Sequence, residues 1–270
     1  MVKDKKIGLI GGGNMAEAII KGLLTGGVPT ANIIVAEPLE QRKAYLIEQY
    51  GIKTTGNNCD ATLFGEIIIL AVKPQTCIDA LRAMKAETSA GKLFISIMAG
   101  VPTKTIETEL SEKARVIRVM PNTPALVLEA ASAIAPGAKA TSDDVSLAME
   151  IFNLLGNACS VQEKLMDAVT GLSGSGPAYV FAFIEALSDA GVKNGLPRDV
   201  ATRLAAQTVF GAAKMVLETG EHAALLREKV TSPGGTTIAG MHVLEKEGFN
   251  GIVMTAVDAA TSRSTELGKG

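Results

Sequence analysis

The sequence predicts an α/β chain, with a doubly wound parallel sheet over residues 1–163 followed by an all-α domain over residues 164–270. Two observations carry this. The first part alternates short runs of Ile, Val and Leu with longer amphipathic stretches, the pattern of a parallel sheet covered by helices. From Lys164 onward strand signals stop and helical periodicity takes over. A chain of 270 residues also suits two domains better than one.

Strands are expected at residues 6–10, 32–36, 67–72, 93–98 and 115–119. Most are nearly continuous in aliphatic residues, as strands buried on both faces are. Between them helices are expected at residues 15–24, Glu40–Tyr50, 75–84 and Thr103–Leu110. An apolar run at 131–135 and a helix at 143–155 complete this part. The tail reads as helices at 165–171, 177–194, 198–220, 225–229, 236–248 and 252–267, with Pro197 and Pro233 at helix starts, where a missing N–H costs little. Within the second of these, Tyr179-Val180-Phe181-Ala182-Phe183-Ile184 is apolar on every side. A helix without a wet face must be covered by other protein. A second copy of the chain is expected to contribute to that cover, with burial inside one chain's own bundle as the alternative.

Composition excludes several classes of partner. With 47% hydrophobic and 20% charged residues the chain reads as an ordinary globular protein, and a net charge of -2 offers no footprint for nucleic acid or an anionic membrane. The apolar stretch after the polar start stops at Gly11-Gly12-Gly13, short of a signal-peptide core, and nothing approaches the roughly 18 apolar residues a membrane span needs. Cys59, Cys77 and Cys159 form no CxxC pair, so neither a disulfide framework nor a zinc site is expected. They read as buried thiols in a reducing cytoplasm.

Ile7-Gly8-Leu9-Ile10-Gly11-Gly12-Gly13-Asn14-Met15-Ala16 fits G-x-G-x-x-A directly after a strand and at the head of a helix. Gly11 permits the tight turn, Gly13 lets backbone approach a pyrophosphate, and Ala16 allows close packing of helix on strand. Phosphates then lie at a helix start, where free N–H groups and the helix dipole favour anions. The next strand ends at Ala36 and Glu37, and an acidic residue there accepts hydrogen bonds from the adenosine ribose hydroxyls while repelling a 2'-phosphate. Glu37 therefore favours NADH over NADPH. Arg42 argues the other way if it swings toward a phosphate; otherwise it is a solvated surface side chain. Parallel sheets bind ligands beyond the carboxyl ends of their strands. The loops there are Ala71-Val72-Lys73-Pro74, Ser96-Ile97-Met98-Ala99-Gly100 and Met120-Pro121-Asn122-Thr123-Pro124.

Taken with Thr170-Gly171-Leu172-Ser173-Gly174-Ser175-Gly176-Pro177-Ala178-Tyr179 and Val230-Thr231-Ser232-Pro233-Gly234-Gly235-Thr236-Thr237-Ile238-Ala239-Gly240, these loops resemble the pyrroline-5-carboxylate reductases. The resemblance spans roughly residues 6 to 268. It implies an N-terminal Rossmann-type domain, a C-terminal dimerisation domain that interlocks with its twin, and dimers gathered into rings, a decamer of five dimers among them. It implies NADPH or NADH as coenzyme, held by Ile10, Gly11, Gly12, Gly13, Asn14 and Met15, by Ala36 and Glu37, by Asn58 near the adenosine end, by Ala71, Val72, Lys73 and Pro74, and by Ile97, Met98 and Ala99. Glu37 stands where the family often has a small polar residue. The implied substrate, 1-pyrroline-5-carboxylate, would lie against the turn of residues 232–237 from the partner subunit.

Reduction of that substrate to proline needs an anion cradle and a hydrogen-bonding group at the ring nitrogen. Ser232, Gly234, Gly235, Thr236 and Thr237, at a helix start, can supply hydroxyls and free N–H groups to a carboxylate. Thr237 is the candidate catalytic hydroxyl at the imine nitrogen. His222 and His242 have no evident carboxylate or nucleophile partner and read as structural. No spacing suggests a metal site. The rival readings are a 3-hydroxy acid dehydrogenase, for which Lys193 or Lys214 would have to serve, and a dinucleotide sensor without catalysis.

Overall fold

A computed structural model describes residues 1–88, 91–111 and 113–268; Lys269 and Gly270, which end the expected tail domain, lie outside the described residues. Contacts divide the chain into two compact units, one of Met1–Ser175 with Ala259–Gly270, the other of Gly176–Asp258. Residues 164–175 and 259–268 thus belong with the sheet unit, beyond the 163/164 boundary at which the sequence changes texture.

The first unit is built on a sheet of eight strands among the described residues. These are β1 Ile7–Ile10, β2 Ile33–Ala36, β3 Lys53–Thr55, β4 Ile67–Leu70, β5 Leu93–Ser96, β6 Arg115–Met120, β7 Ala130–Pro136 and β8 Gly156–Ser160. Their order is β3-β2-β1-β4-β5-β6-β7-β8. The first six strands run parallel, β7 is antiparallel to β6, and β8 is parallel to β7. Because β1 pairs with both β2 and β4, the winding reverses there, and this is the switch point where open sheets bind ligands.

The apolar strands feed two cores. On one face Ile7, Leu9, Ile67, Ile69 and Ile95 meet Ile19, Ile20 and Leu23 of α1 (Asn14–Thr25), Leu46 of α2 (Glu40–Tyr50), and Ile151 and Phe152 of α6 (Ser142–Asn153). On the other, Ile10, Ile68, Leu70 and Phe94 meet Ala61 of α3 (Asn58–Phe64), Leu81 and Met84 of α4 (Cys77–Met84), and Ile106 and Leu110 of α5 (Thr103–Leu110). Successive residues of a strand point to opposite faces, so one run of isoleucines fills both cores. Each such side chain contributes about 1.5–3 kcal/mol by leaving water.

Two strands and one helix lie outside the expectation. The edge strands β3 and β8 read Lys-Thr-Thr and Gly-Asn-Ala-Cys-Ser, with only Ala158 buried between them. α3 has seven residues, too few to show a period. At α6 the Thr141 side chain accepts from the Asp144 N–H while the Asp144 carboxylate accepts from the Thr141 N–H, a capping box that starts the helix one residue before the expected position. After α7 (Met166–Val169) the backbone widens into a π turn, Thr170–Gly174, closed by the Ser175 N–H on the Thr170 carbonyl at 2.8 Å.

The second unit holds α8 (Gly176–Lys193), α9 (Arg198–Thr219), α10 (Ala223–Lys229), α11 (Thr236–Lys246) and the first part of α12 (Phe249–Leu267). A methyl group on Gly191 would meet the Ala201 Cβ at 3.0 Å, which sets how closely α8 and α9 approach. Pro197 caps α9 as expected, whereas Pro233 lies in the turn before α11, whose cap is Gly235. Within one chain the apolar surface of this unit stays bare. Val180, Phe181 and Phe183 are exposed, with Phe181 at 62%, and the buried apolar residues of the unit are Ala201 and Ala205. The alternative of burial inside one chain's own bundle therefore falls. Among the described residues no helix is long and apolar enough to cross a membrane.

Candidate functional site

The glycine turn between β1 and α1 is shaped by close approach. Gly11 has a φ of 98°, in the left-handed region that favours glycine, and donates its N–H to the Ala36 carbonyl at 2.8 Å. A Cβ on Gly12 would stand 3.0 Å from the Leu46 side chain and 3.1 Å from a Glu37 oxygen. Gly13 has nothing within 4 Å of where a Cβ would be, and as N-cap of α1 it brings no side chain to the free N–H groups there. The result is an open, uncapped helix start on a tight glycine turn, whose N–H groups suit an anion such as a pyrophosphate. The fingerprint residues fit a dinucleotide.

Glu37 closes one side of this turn. It is buried, and its carboxylate accepts the N–H groups of Gly12 at 2.9 Å and Leu39 at 3.0 Å. Arg42 closes the other, and its placement as a solvated surface residue does not hold. Its Nε donates to the Gly12 carbonyl and its Nη2 to Glu17, both at 2.5 Å, while its guanidinium lies 4.9 Å from the Tyr45 ring centroid. The same Glu17 carboxylate accepts the hydroxyls of Tyr45 and Tyr50, each at 2.8 Å. Burial works against the charged form of Glu17, but the hydrogen bonds from Arg42, Tyr45 and Tyr50 outweigh it and hold its pKa below the ordinary carboxylate value. Burial, then the bond to Glu17, pushes the Tyr50 hydroxyl up to about 12.

The remaining residues expected at a coenzyme stand at the carboxyl ends of neighbouring strands. Asn58 begins α3, just past β3. Ala71 follows β4, with its N–H on the Ile10 carbonyl at 2.8 Å, and Lys73 and Pro74 are exposed beyond it. Ile97 follows β5, tied to the Leu70 carbonyl at 3.1 Å. The side chains of Ile10, Ala36 and Met98 are in the core, so only their backbone faces a ligand. The loops at Pro74, Ala99 and Gly100 border a cavity of about 1020 Å³ that the π-turn residues Thr170 and Ser175 also line. Asn122 holds the π turn in place: its Nδ2 donates to the Ser173 carbonyl at 3.1 Å and its Oδ1 accepts the Ala131 N–H at 3.0 Å.

In the second unit, Ser232, Gly234, Gly235, Thr236 and Thr237 form the turn that starts α11. Gly234 has a φ of 66°, and a Cβ on Gly235 would lie 2.3 Å from the Ser232 hydroxyl oxygen. No side chain caps the helix, so its first N–H groups are free, with Thr236 exposed and Thr237 half-buried. His222 caps α10, its Nδ1 accepting the Ala224 N–H at 3.2 Å, and His242 lies within α11, in keeping with structural roles. Of the cysteines only Cys77 is buried; Cys59 is half-buried and Cys159 exposed on the edge strand β8, which corrects the expectation of three buried thiols.

The sequence did not point to Glu17, Tyr45 or Tyr50, which meet only once α1 and α2 are packed side by side. The three-residue spacing of Arg42 and Tyr45 on one helix face was the available signal.

Residues 163–267 match the family model for pyrroline-5-carboxylate reductase dimerisation, and residues 6–100 the model for NADP oxidoreductase, coenzyme F420-dependent. The chain is 50% identical over 269 residues to a pyrroline-5-carboxylate reductase of Methanosarcina acetivorans, covering 99% of this chain and 100% of the relative. A solved pyrroline-5-carboxylate reductase from Coxiella burnetii is 36% identical with a TM-score of 0.93, over 98% of this chain and 99% of that one. The Plasmodium falciparum pyrroline carboxylate reductase, solved with NADP bound, is 34% identical with a TM-score of 0.88, again over 98% and 99%. With the glycine turn, the uncapped start of α11 and likeness along the whole length, the chain belongs to the pyrroline-5-carboxylate reductase family.

Proposed function

We propose that this chain reduces 1-pyrroline-5-carboxylate to L-proline, the last step of proline biosynthesis, with NADH or NADPH as donor and Glu37 favouring NADH. The observation that carries the reading is the full-length likeness to reductases of that name, which takes in the sheet and the helical tail together. The coenzyme supplies a hydride to C5 of the ring and a proton joins the nitrogen, so that imine, NAD(P)H and one proton become proline and NAD(P)+. Gly11, Gly12, Gly13, Asn14 and Met15 hold its pyrophosphate, Glu37 and Asn58 serve its adenosine end, and residues 71–74 and 97–99 lie along the nicotinamide ribose.

The turn of residues 232–237 grips the substrate. Free N–H groups at the head of α11, with the hydroxyls of Ser232 and Thr236, receive the carboxylate, and Gly234 and Gly235 let the backbone come close. Thr237 directs its hydroxyl at the ring nitrogen, orients the imine and relays a proton from water. A threonine hydroxyl is a poor acid, so the contribution is placement and charge complementarity rather than strong acid catalysis.

Residues 1–163 bind coenzyme, and residues 164–270 pair two subunits, so that the turn of one subunit serves the coenzyme of its partner. The bare apolar helices of the second unit support a homodimer, and five such dimers make a decamer. Three free cysteines are in keeping with the cytoplasm as its compartment. Mixing the purified protein with NADH and 1-pyrroline-5-carboxylate and following absorbance tests the reading: coenzyme oxidation with proline formed in equal amount supports it, and no oxidation there, with NAD+ reduced instead when 3-hydroxy acids are supplied, would overturn it.

A further inference from the structure

Arg42 lies in the first turn of α2, a few residues past Glu37, and with Leu39, Glu40, Gln41 and Tyr45 it lines a surface cavity of about 430 Å³ at that end of the sheet. An arginine in this place is the usual receptor for the 2'-phosphate that distinguishes NADP(H) from NAD(H), because its planar fork matches a phosphate. Here one edge of the fork is already occupied. Nε is spent on the Gly12 carbonyl, Nη2 on Glu17, and one face on the Tyr45 ring. Glu17 is fixed in turn by the hydroxyls of Tyr45 and Tyr50, so the carboxylate cannot follow a moving guanidinium without losing two further bonds. The adjacent cation, Lys43, is also paired, to Glu40 at 2.7 Å.

We infer that Glu17, on α1, is a specificity-determining residue: by holding the Nε–Nη2 edge of Arg42 against the glycine turn it denies that edge to a 2'-phosphate in the cavity Arg42 lines, and so favours the coenzyme without that phosphate. The inference rests on the proposed placement of the dinucleotide on Gly11–Gly13 with its adenosine ribose at Glu37. It adds a residue that touches neither the ribose nor the phosphate and acts wholly through Arg42.

The test is calorimetric titration of the full-length protein with NAD+, NADP+ and adenosine 2',5'-bisphosphate. Glu17→Gln should raise affinity for the two 2'-phosphorylated ligands relative to NAD+ by about tenfold or more, the scale of one charge-assisted hydrogen bond. The double variant Glu17→Gln/Arg42→Ala should return the ratio to that of the parent. A ratio that Glu17→Gln leaves unmoved, or a shift that survives removal of Arg42, would overturn the inference. Should Glu17→Gln not fold, Arg42→Ala alone decides. A ratio unchanged within about twofold supports a tethered arginine, whereas a tenfold loss of NADP+ affinity shows one already reading the phosphate. Gly13→Ala separates the underlying placement from the inference, because it should weaken NAD+ and NADP+ alike; if it weakens neither, the placement itself fails.

Discussion

Gly11 faces Ala71 so closely that a Cβ on the glycine would stand 2.7 Å from the Ala71 carbonyl oxygen. Backbone meets backbone there, so neither side can give way cheaply. Gly11→Ala should therefore lower the unfolding free energy by about 1–3 kcal/mol, its φ of 98° adding to the clash. Gly13 has open space around it and an ordinary φ of -68°, so Gly13→Ala should cost less, about 0.5–1 kcal/mol for a poorer N-cap. Thermal unfolding of the two variants checks the contrast; equal losses would show that the turn is not shaped as described.

Thr237→Ala should lower kcat/KM by more than roughly tenfold, since a hydrogen bond made in the transition state contributes a few kcal/mol. Thr237→Ser should recover most of it. The side chain is half-buried at the start of α11 and caps nothing, so circular dichroism should not change. Steady-state rates unaffected by the alanine would remove Thr237 from the reaction.

The bare apolar faces of α8, α9 and α12 predict a self-associating protein. Phe181, Leu217 and Met254 are each more than half exposed in a single chain, far beyond scattered surface leucines. Sedimentation at micromolar concentration should show no stable species of 28.0 kDa. A clean monomer would contradict the assignment of this surface to subunit pairing.

Glu17 gives a pH dependence whose sign follows from its lowered pKa. A carboxylate with a folded-state pKa below its ordinary 4.5 adds stability that is fully present above that value and is lost as the pH falls through the folded value. The stability difference between the parent and Glu17→Gln should therefore shrink as the pH is taken from about 5 to about 3. Urea unfolding at several pH values measures it, and a constant difference would show that the network does not favour the ionised form.

What could be read from the sequence divides along physical lines. Strands such as Ile67–Leu70 are unmistakable because both faces are buried and every position must be apolar. Lys53–Thr55 and Gly156–Ser160 sit at the sheet's edges, where backbone pairing holds them and, Ala158 apart, the side chains leave no mark. The glycine turn was legible because each glycine answers a local demand, φ at Gly11 and close approach at Gly12. Arg42 was misread because its partners, Gly12 and Glu17, lie 30 and 25 residues away, and nothing local distinguishes a tethered arginine from a free one. The π turn at Thr170–Gly174 likewise depends on Asn122, 51 residues before Ser173.

A helical unit whose buried apolar residues are Ala201 and Ala205 has little interior of its own, and if it folds only on pairing, its stability rises with the concentration of chains. The quantity of finished protein would then depend on how often newly made chains meet, and halving synthesis would remove more than half of the working pool. A damaged copy that still pairs does more harm than one never made, since it takes a sound chain out of service with it.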